Sequence, residues 1–322
     1  MNRYILEQLH HLLRCNVIGD KQYDSRYKGF HGELDFSQWF AKNRQENNFY
    51  KGGYLIPRYS KDDTLEKPVY VTISSIKPDN NYRNIYRQIA KISPLQFYIY
   101  FNSSEEITNW KKVDVMGHGI DLPVPDLHIL QFDQITKTFK ESSLNDFLSC
   151  FKKKSFRNKN TYPITTETRQ KHINKLEQHT GKDLLNLYVE RLIFDGFIGF
   201  GRTHGIPSDI DAIIKKNDSF LFLEIKEKDQ SKRHPRGFGM DCRRIESLLT
   251  IEKKTSIPYF YLVREIDDQE NRNFRTWKVI SMKKFSGIVH SGKVIEGGTG
   301  MRSAHSSNPT KVCPYDHFKN LA

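Results

Sequence analysis

Along the 322 residues, apolar positions recur with either a helical or a strand-like period. Arg3–Leu13 carries the helical one, and Glu33–Asn43 repeats it with Phe36, Trp39 and Phe40 on one face. Apolar runs at Tyr54–Pro57, Val69–Ile73, Phe97–Phe101 and Leu127–Phe132 predict strands, with a helix at Tyr82–Ile92 between the second and third. Phe147–Phe151 predicts the end of a helix. Thr166–His179 and Lys182–Phe194 predict two more, broken at Thr180-Gly181, the second with Leu185, Val189, Leu192 and Ile193 on one face. Gly196–Gly201 then predicts a strand and Arg202–Pro207 a loop. Later come a helix at Asp241–Lys253, with Ile245, Leu248 and Leu249 inward, and strands at Pro258–Val263 and Thr276–Ser281. Gly287–Ala322, rich in Gly, Ser and Pro, has no period and predicts a long loop.

The stretch between these blocks is the most informative. Ile210–Ile214 and Phe220–Ile225 are short apolar runs flanking the polar Lys215–Ser219, which predicts a β-hairpin. With Asn217 and Asp218 as the turn residues, Asp211 stands opposite Glu224, and Asp209 opposite Lys226. Alternation along a strand puts Glu224 and Lys226 on one face. Two carboxylates placed directly opposite each other destabilise a sheet unless something offsets their charge. A divalent cation does so, since Mg²⁺ is commonly held by one or two carboxylates together with phosphate oxygens. Both strands are apolar on both faces, as in a buried central sheet, and charged groups at the end of such a sheet point to function.

An Asp, a hydrophobic hairpin and then Glu-x-Lys resemble the active site of the PD-(D/E)xK, or restriction-endonuclease-like, nucleases. The matching residues are Asp211, Glu224 and Lys226, with Ile225 at the x position; the family's proline is matched only loosely, by Pro207. The resemblance implies that Asp211 and Glu224 bind Mg²⁺ and that Lys226 orients or activates the attacking water. It also makes Glu190, beside the apolar stripe of its helix, a further metal candidate, as is the neighbouring Asp209. The order of elements from Thr166 to Ser281 resembles the family's αβββαβ core with a mixed sheet.

The expected organisation is therefore an α/β chain with an N-terminal α/β domain over 1–135, a basic linker over 136–165 and a nuclease domain over 166–322. The first domain shows helix, strand, strand, helix, strand, close to the order of the second. It reads as a diverged, inactive copy, with Val71-Thr72-Ile73 where Glu-x-Lys would stand, or as an unrelated α/β recognition domain. The linker concentrates Lys152, Lys153, Lys154, Arg157 and Lys159, either a solvated surface or a phosphate-contacting strip.

Charge fits a polyanionic partner. Fifty-one Lys and Arg against 38 Asp and Glu give a formal charge of +13 and a pI near 9.4. Around the carboxylates, Lys228, Lys232, Arg233, Arg236, Arg243 and Arg244 are expected to hold a DNA backbone in register. Cys15, Cys150, Cys242 and Cys313 show no paired spacing, which argues for reduced thiols and against a zinc site. GGTGMRS lacks the ending of a P-loop, and GFIGFG precedes a predicted strand rather than opening a helix, so neither reads as a nucleotide site. His204, in a loop, is a possible substrate contact, while His305, Asp316 and His317 fit no metal spacing. No apolar run is long enough to span a bilayer and Met1–Val17 lacks a signal-peptide core, so an intracellular, cytoplasmic protein is expected. The expected function is a Mg²⁺-dependent endonuclease acting on double-stranded DNA, of the type II restriction kind, working as a homodimer beside a cognate DNA methyltransferase. Competing readings are a structure-selective, repair, transposition or antiviral nuclease on the same core, and a catalytically dead DNA-binding protein.

Overall fold

A computed structural model describes residues 1–17, 19–44, 48–59, 64–151, 163–199, 207–232, 234–296 and 309–321. The basic run from Lys152 to Lys159, the loop holding His204, Arg233 and His305 all lie outside these residues. The architecture is mixed α/β with a large mixed sheet. The described residues form helices α1 Asn2–Leu13, α2 Asp20–Asn43, α3 Asn80–Ile89, α4 Leu144–Ser149, α5 Thr166–Leu176, α6 Gly181–Arg191, α7 Cys242–Thr255 and α8 Met282–Val289. Strands β1 Phe49–Tyr59, β2 Leu65–Ser74, β3 Leu95–Phe101, β4 Lys111–Val113, β5 Leu122–Val124, β6 Leu127–Asp133 and β7 Thr138–Ser142 precede the hairpin. The hairpin is β8 Ser208–Lys216 and β9 Ser219–Lys228. After it come β10 Gly237–Asp241, β11 Tyr259–Ile266, β12 Phe274–Ser281, β13 Ile295–Glu296, β14 Pro309–Pro314 and β15 Lys319–Asn320. No helix among the described residues is long and apolar enough to cross a membrane.

The chain forms two compact units, Met1–Asp24 with Gly53–Asp209, and Ser25–Gly52 with Ile210–Ala322. Residues 166–209, expected to open the second domain, thus group with the first unit, and residues 25–52 group with the second. In the first unit β1 and β2 are antiparallel, β2 and β3 are parallel across α3, and β3–β6 and β6–β7 are antiparallel. The parallel step needs a crossover, which α3 supplies. In the second unit β8 and β9 are antiparallel, β9 and β11 are parallel across α7, and β11–β12 and β12–β15 are antiparallel. Strand for strand, the second series of pairings repeats the first in order and direction. Each crossover helix is also N-capped by an aspartate, Asp79 for α3 and Asp241 for α7.

In the second unit α2 lays Phe36 and Phe40 on one sheet face, against Ala212, Leu223, Ile225, Leu262 and Trp277. The alternation that turns Leu223 and Ile225 toward α2 turns Glu224 and Lys226 to the other face. Phe49 packs on the same cluster, and Gly52 lies so close to β8 that a Cβ there would run into the Ile210 carbonyl oxygen. Only glycine permits that approach. The first unit packs Tyr70, Tyr82, Tyr86 and Tyr98 in its core, and partners meet their hydroxyls: Tyr86 donates to the Phe97 carbonyl at 2.7 Å and Tyr98 to that of Ile76 at 2.8 Å.

Two expected elements differ. Instead of a strand beginning at Gly196, α6 runs on into a π-helical turn, Leu192–Ile198, closed by the Gly199 N–H donating to the Phe194 carbonyl at 2.7 Å. Leu192, Ile193, Phe194 and Ile198 are buried there, and a short apolar segment suits a buried helix as well as a strand. The C-terminal part, read as one long loop, begins inside the end of α8, with Val289 buried, and contains strands β13, β14 and β15, which pair with β14, β10 and β12 respectively. β13 and β15 are two-residue strands at sheet edges, and β14, between β10 and β13, is bounded by prolines and lacks an alternating apolar signature.

Candidate functional site

The hairpin closes with the register expected from its turn, from Ala212 opposite Leu223 to Lys216 opposite Ser219. Asn217 takes a φ of 54°, which asparagine tolerates. Continued along the strands, that register sets Asp211 beside Glu224. The side chains of Asp211 and Glu224 are 1% and 0% exposed, whereas Lys226 is 38% exposed. The Lys226 Nζ stands 3.0 Å from Glu224 Oε1 and 3.5 Å from Asp211 Oδ2. Asp211 Oδ2 also accepts the Ile225 N–H at 2.6 Å, which anchors the carboxylate to the partner strand. Asp209 precedes Asp211 by two residues on β8, and one carboxylate oxygen from each of Asp209, Asp211 and Glu224 lies within 4.8 Å of the others.

A fifth charged group, Arg244, joins the cluster. Asp241 caps α7 by accepting the N–H groups of Arg243 at 2.8 Å and Arg244 at 3.3 Å. That cap fixes the first turn of the helix, from which Arg244 reaches Glu224. Its Nε donates to Oε1 at 3.0 Å and its Nη2 donates to Oε2, a two-pronged contact on both carboxylate oxygens. On its own strand Lys226 is the cation that shares the face of Glu224; Arg244, one of the basic residues expected to contact DNA, brings a second positive charge to Glu224 from α7. No local spacing reveals the contact, because it joins a helix to a strand 20 residues away.

The other basic candidates divide. Lys232, Arg236 and Arg243 are exposed. Lys228 shares the face of Glu224 and Lys226; withdrawal from water, and then the like charge of Lys226, hold its ammonium below the usual lysine range. Tyr261, in register with Glu224 on β11, is buried and donates to the Gly239 carbonyl at 3.2 Å. Burial pushes its phenol well up, so it serves this face as a neutral group.

Glu190 belongs to the first unit, buried on α6. Its Oε1 accepts Arg191 Nη2 at 2.9 Å and the Tyr54 hydroxyl, and Arg191 Nη1 lies 3.6 Å from Asp195 Oδ2. Its charge is thus met inside its own unit. The two segments of β2 that its pairing with β3 can match to Glu-x-Lys, Val71-Thr72-Ile73 and Thr72-Ile73-Ser74, carry neither an acid nor a lysine. Opposite Val71 and Thr72 on β1 stand Tyr54 and, by continuation of the register, Gly53, so no carboxylate meets this stretch from β1.

The donors of the hairpin cluster are all carboxylate oxygens, with no imidazole or thiolate. Such a set suits a hard cation of the Mg²⁺ type and not zinc. The four cysteines are free thiols, and burial pushes the Cys313 thiol up to about 11. No family model matches the chain, no curated protein matches it, and no solved structure matches it.

Proposed function

We propose that the second unit is a Mg²⁺-dependent nuclease centre on a restriction-endonuclease-like core, hydrolysing phosphodiester bonds of double-stranded DNA. The observation that carries this reading is the meeting of Asp211, Glu224 and Lys226 on one sheet face, with both carboxylates buried and the lysine partly open to solvent. Within this unit the elements run α2 from Ser25, the start of β1, then β8, β9, β10, α7 and β11, an order that supports the reading when β10, which pairs in a separate sheet, is set aside. The net charge of +13 favours an anionic polymer as substrate.

In this reading Asp211 and Glu224, with Asp209 beside them, hold the cation. A cation held there would polarise the phosphoryl oxygen and lower the pKa of a bound water. The Ile225 N–H keeps Asp211 aimed at the shared face. Lys226 positions the attacking water and stabilises charge building on the phosphate, as an ammonium 3.0 Å from Glu224 is placed to do. Lys232, Arg236 and Arg243 supply phosphate contacts. Because β2 of the first unit carries no Glu-x-Lys, each chain shows one such constellation among the described residues, and cutting both strands calls for a second copy. A homodimer meets that need by two-fold symmetry. A methyltransferase gene beside this one would support a restriction enzyme.

Digestion of plasmid with Mg²⁺, followed by sequencing of the fragment ends, tests the reading. Discrete ends are expected. A random smear, or cleavage of single strands or branched junctions only, moves the assignment to another nuclease class. Tight binding with no cleavage of any nucleic acid replaces it with a DNA-binding protein.

A further inference from the structure

We propose that Arg244 is a displaceable counter-ion of the metal site: a divalent cation takes its place on Glu224, and the released guanidinium then engages the DNA phosphate at the cleavage site. The inference rests on the nuclease reading and assigns Arg244 a positioning role within it. Three observations support it. Both oxygens of the fully buried Glu224 are taken by the Arg244 fork, so a cation ligating Glu224 competes with that fork directly. Asp209, Asp211 and Glu224 are met by Lys226 and Arg244, so a dication added with both cations still in place would turn the cluster net positive, and release of Arg244 restores the balance. Arg244 is also the residue able to leave. Its side chain is 19% exposed, against 0% for Glu224, and Asp241 holds the helix end through backbone N–H groups that do not depend on the guanidinium.

The two tasks suit one side chain. A planar guanidinium binds a carboxylate and a phosphate with the same paired geometry, which an ammonium does not reproduce. Without cation, Arg244 keeps Glu224 oriented and lowers the cost of burying it. With cation and DNA present, the same group shifts from a carboxylate whose charge the metal now meets to a phosphate that needs it. Cation and DNA binding are thereby linked, each favouring the state in which Arg244 has left Glu224.

Isothermal titration of the full chain with Mg²⁺, and separately with Mn²⁺, tests this without DNA. Arg244→Ala should bind the cation about tenfold more tightly than wild type or better, within the usual range of such coupling. Its KM for plasmid should rise because the phosphate contact is gone. Arg244→Lys, a smaller perturbation should Arg244→Ala fold poorly, is expected to bind the cation with intermediate affinity and also to raise KM. An Arg244 that serves only to hold the fold would lower stability with no gain in cation affinity. Unchanged or weaker cation binding by both folded variants overturns the proposal. No Mg²⁺ or Mn²⁺ binding by any form overturns this proposal and the nuclease reading together. Tightened cation binding in Arg244→Ala, with no DNA cleavage by wild type, upholds the exchange and overturns the nuclease reading alone.

Discussion

Glu224→Gln is the substitution whose effect on stability follows most directly from the geometry. Were Asp211 and Glu224 an unrelieved pair of like charges, removing one charge would leave the metal-free protein at least as stable as wild type. The structure predicts the opposite. Glu224 is fully buried, bound by Arg244 through both oxygens and approached by Lys226 at 3.0 Å. An amide keeps the shape but abandons two cations, one of them 19% exposed. Removing one partner of a buried ion pair costs about 3–5 kcal/mol. Because Lys226 is 38% exposed and can turn to water, a loss of about 2–4 kcal/mol is the reasonable figure here. Asp211→Asn should cost less, about 0.5–1.5 kcal/mol, since an amide oxygen can still accept the Ile225 N–H. Urea unfolding in EDTA, followed by fluorescence of Trp39 and Trp277 in a Trp110→Phe background, reports the second unit, where both of those tryptophans lie. A Glu224→Gln protein as stable as its parent under these conditions would refute the Arg244–Glu224 contact.

Other expectations follow from single residues. Gly52→Ala should destabilise the second unit by about 1–3 kcal/mol, because the new methyl meets the Ile210 carbonyl; an unchanged urea midpoint would contradict the close approach. His10, buried in α1 against Tyr23, has its pKa lowered to about 4 by burial, then by His11 and Arg14. Below about pH 6.5 the unfolded chain takes up a proton that the folded chain refuses until about pH 4, so stability falls as pH falls through that window, by about 2 kcal/mol at pH 5. Comparing His10→Gln with wild type at pH 7 and pH 5 isolates this share, and equal losses in both proteins would rule it out. Neutralising Lys232, Arg236 and Arg243 together should lower the log–log salt slope of duplex binding by about 2–3, measured by fluorescence anisotropy; an unaltered slope removes them from the interface.

What the sequence made legible was local. A two-residue turn between alternating runs fixes a register, and the register fixes which side chains share a face, so Asp211, Glu224 and Lys226 could be grouped before any coordinates. Arg244 was not legible as a partner, because its contact depends on how a helix sits on a sheet. The same limit hid the membership of the second unit: Phe36 and Phe40 announce an apolar helix face without saying that Ile225 and Trp277 lie beneath it. Gly196–Ile198 reads as a strand for another reason, since Asp195-Gly196 looks like a break and so short a segment has no period to read. The likeness of the two units lay in the order of their elements, and pairing directions turned that order into a topology.

The central claim is that the buried acids and Lys226 form a cation-dependent centre that breaks phosphodiester bonds. Its most direct test is the initial rate of supercoiled plasmid cleavage as Mg²⁺ is titrated from an EDTA-treated start, for wild type, Asp211→Asn and Lys226→Ala. The account predicts no cleavage in EDTA, a rate rising to saturation with Mg²⁺ for wild type, and loss of cleavage in both variants, with Lys226→Ala still binding Mg²⁺ by calorimetry. Cleavage at the wild-type rate by Asp211→Asn, or undiminished wild-type cleavage in EDTA, would contradict it.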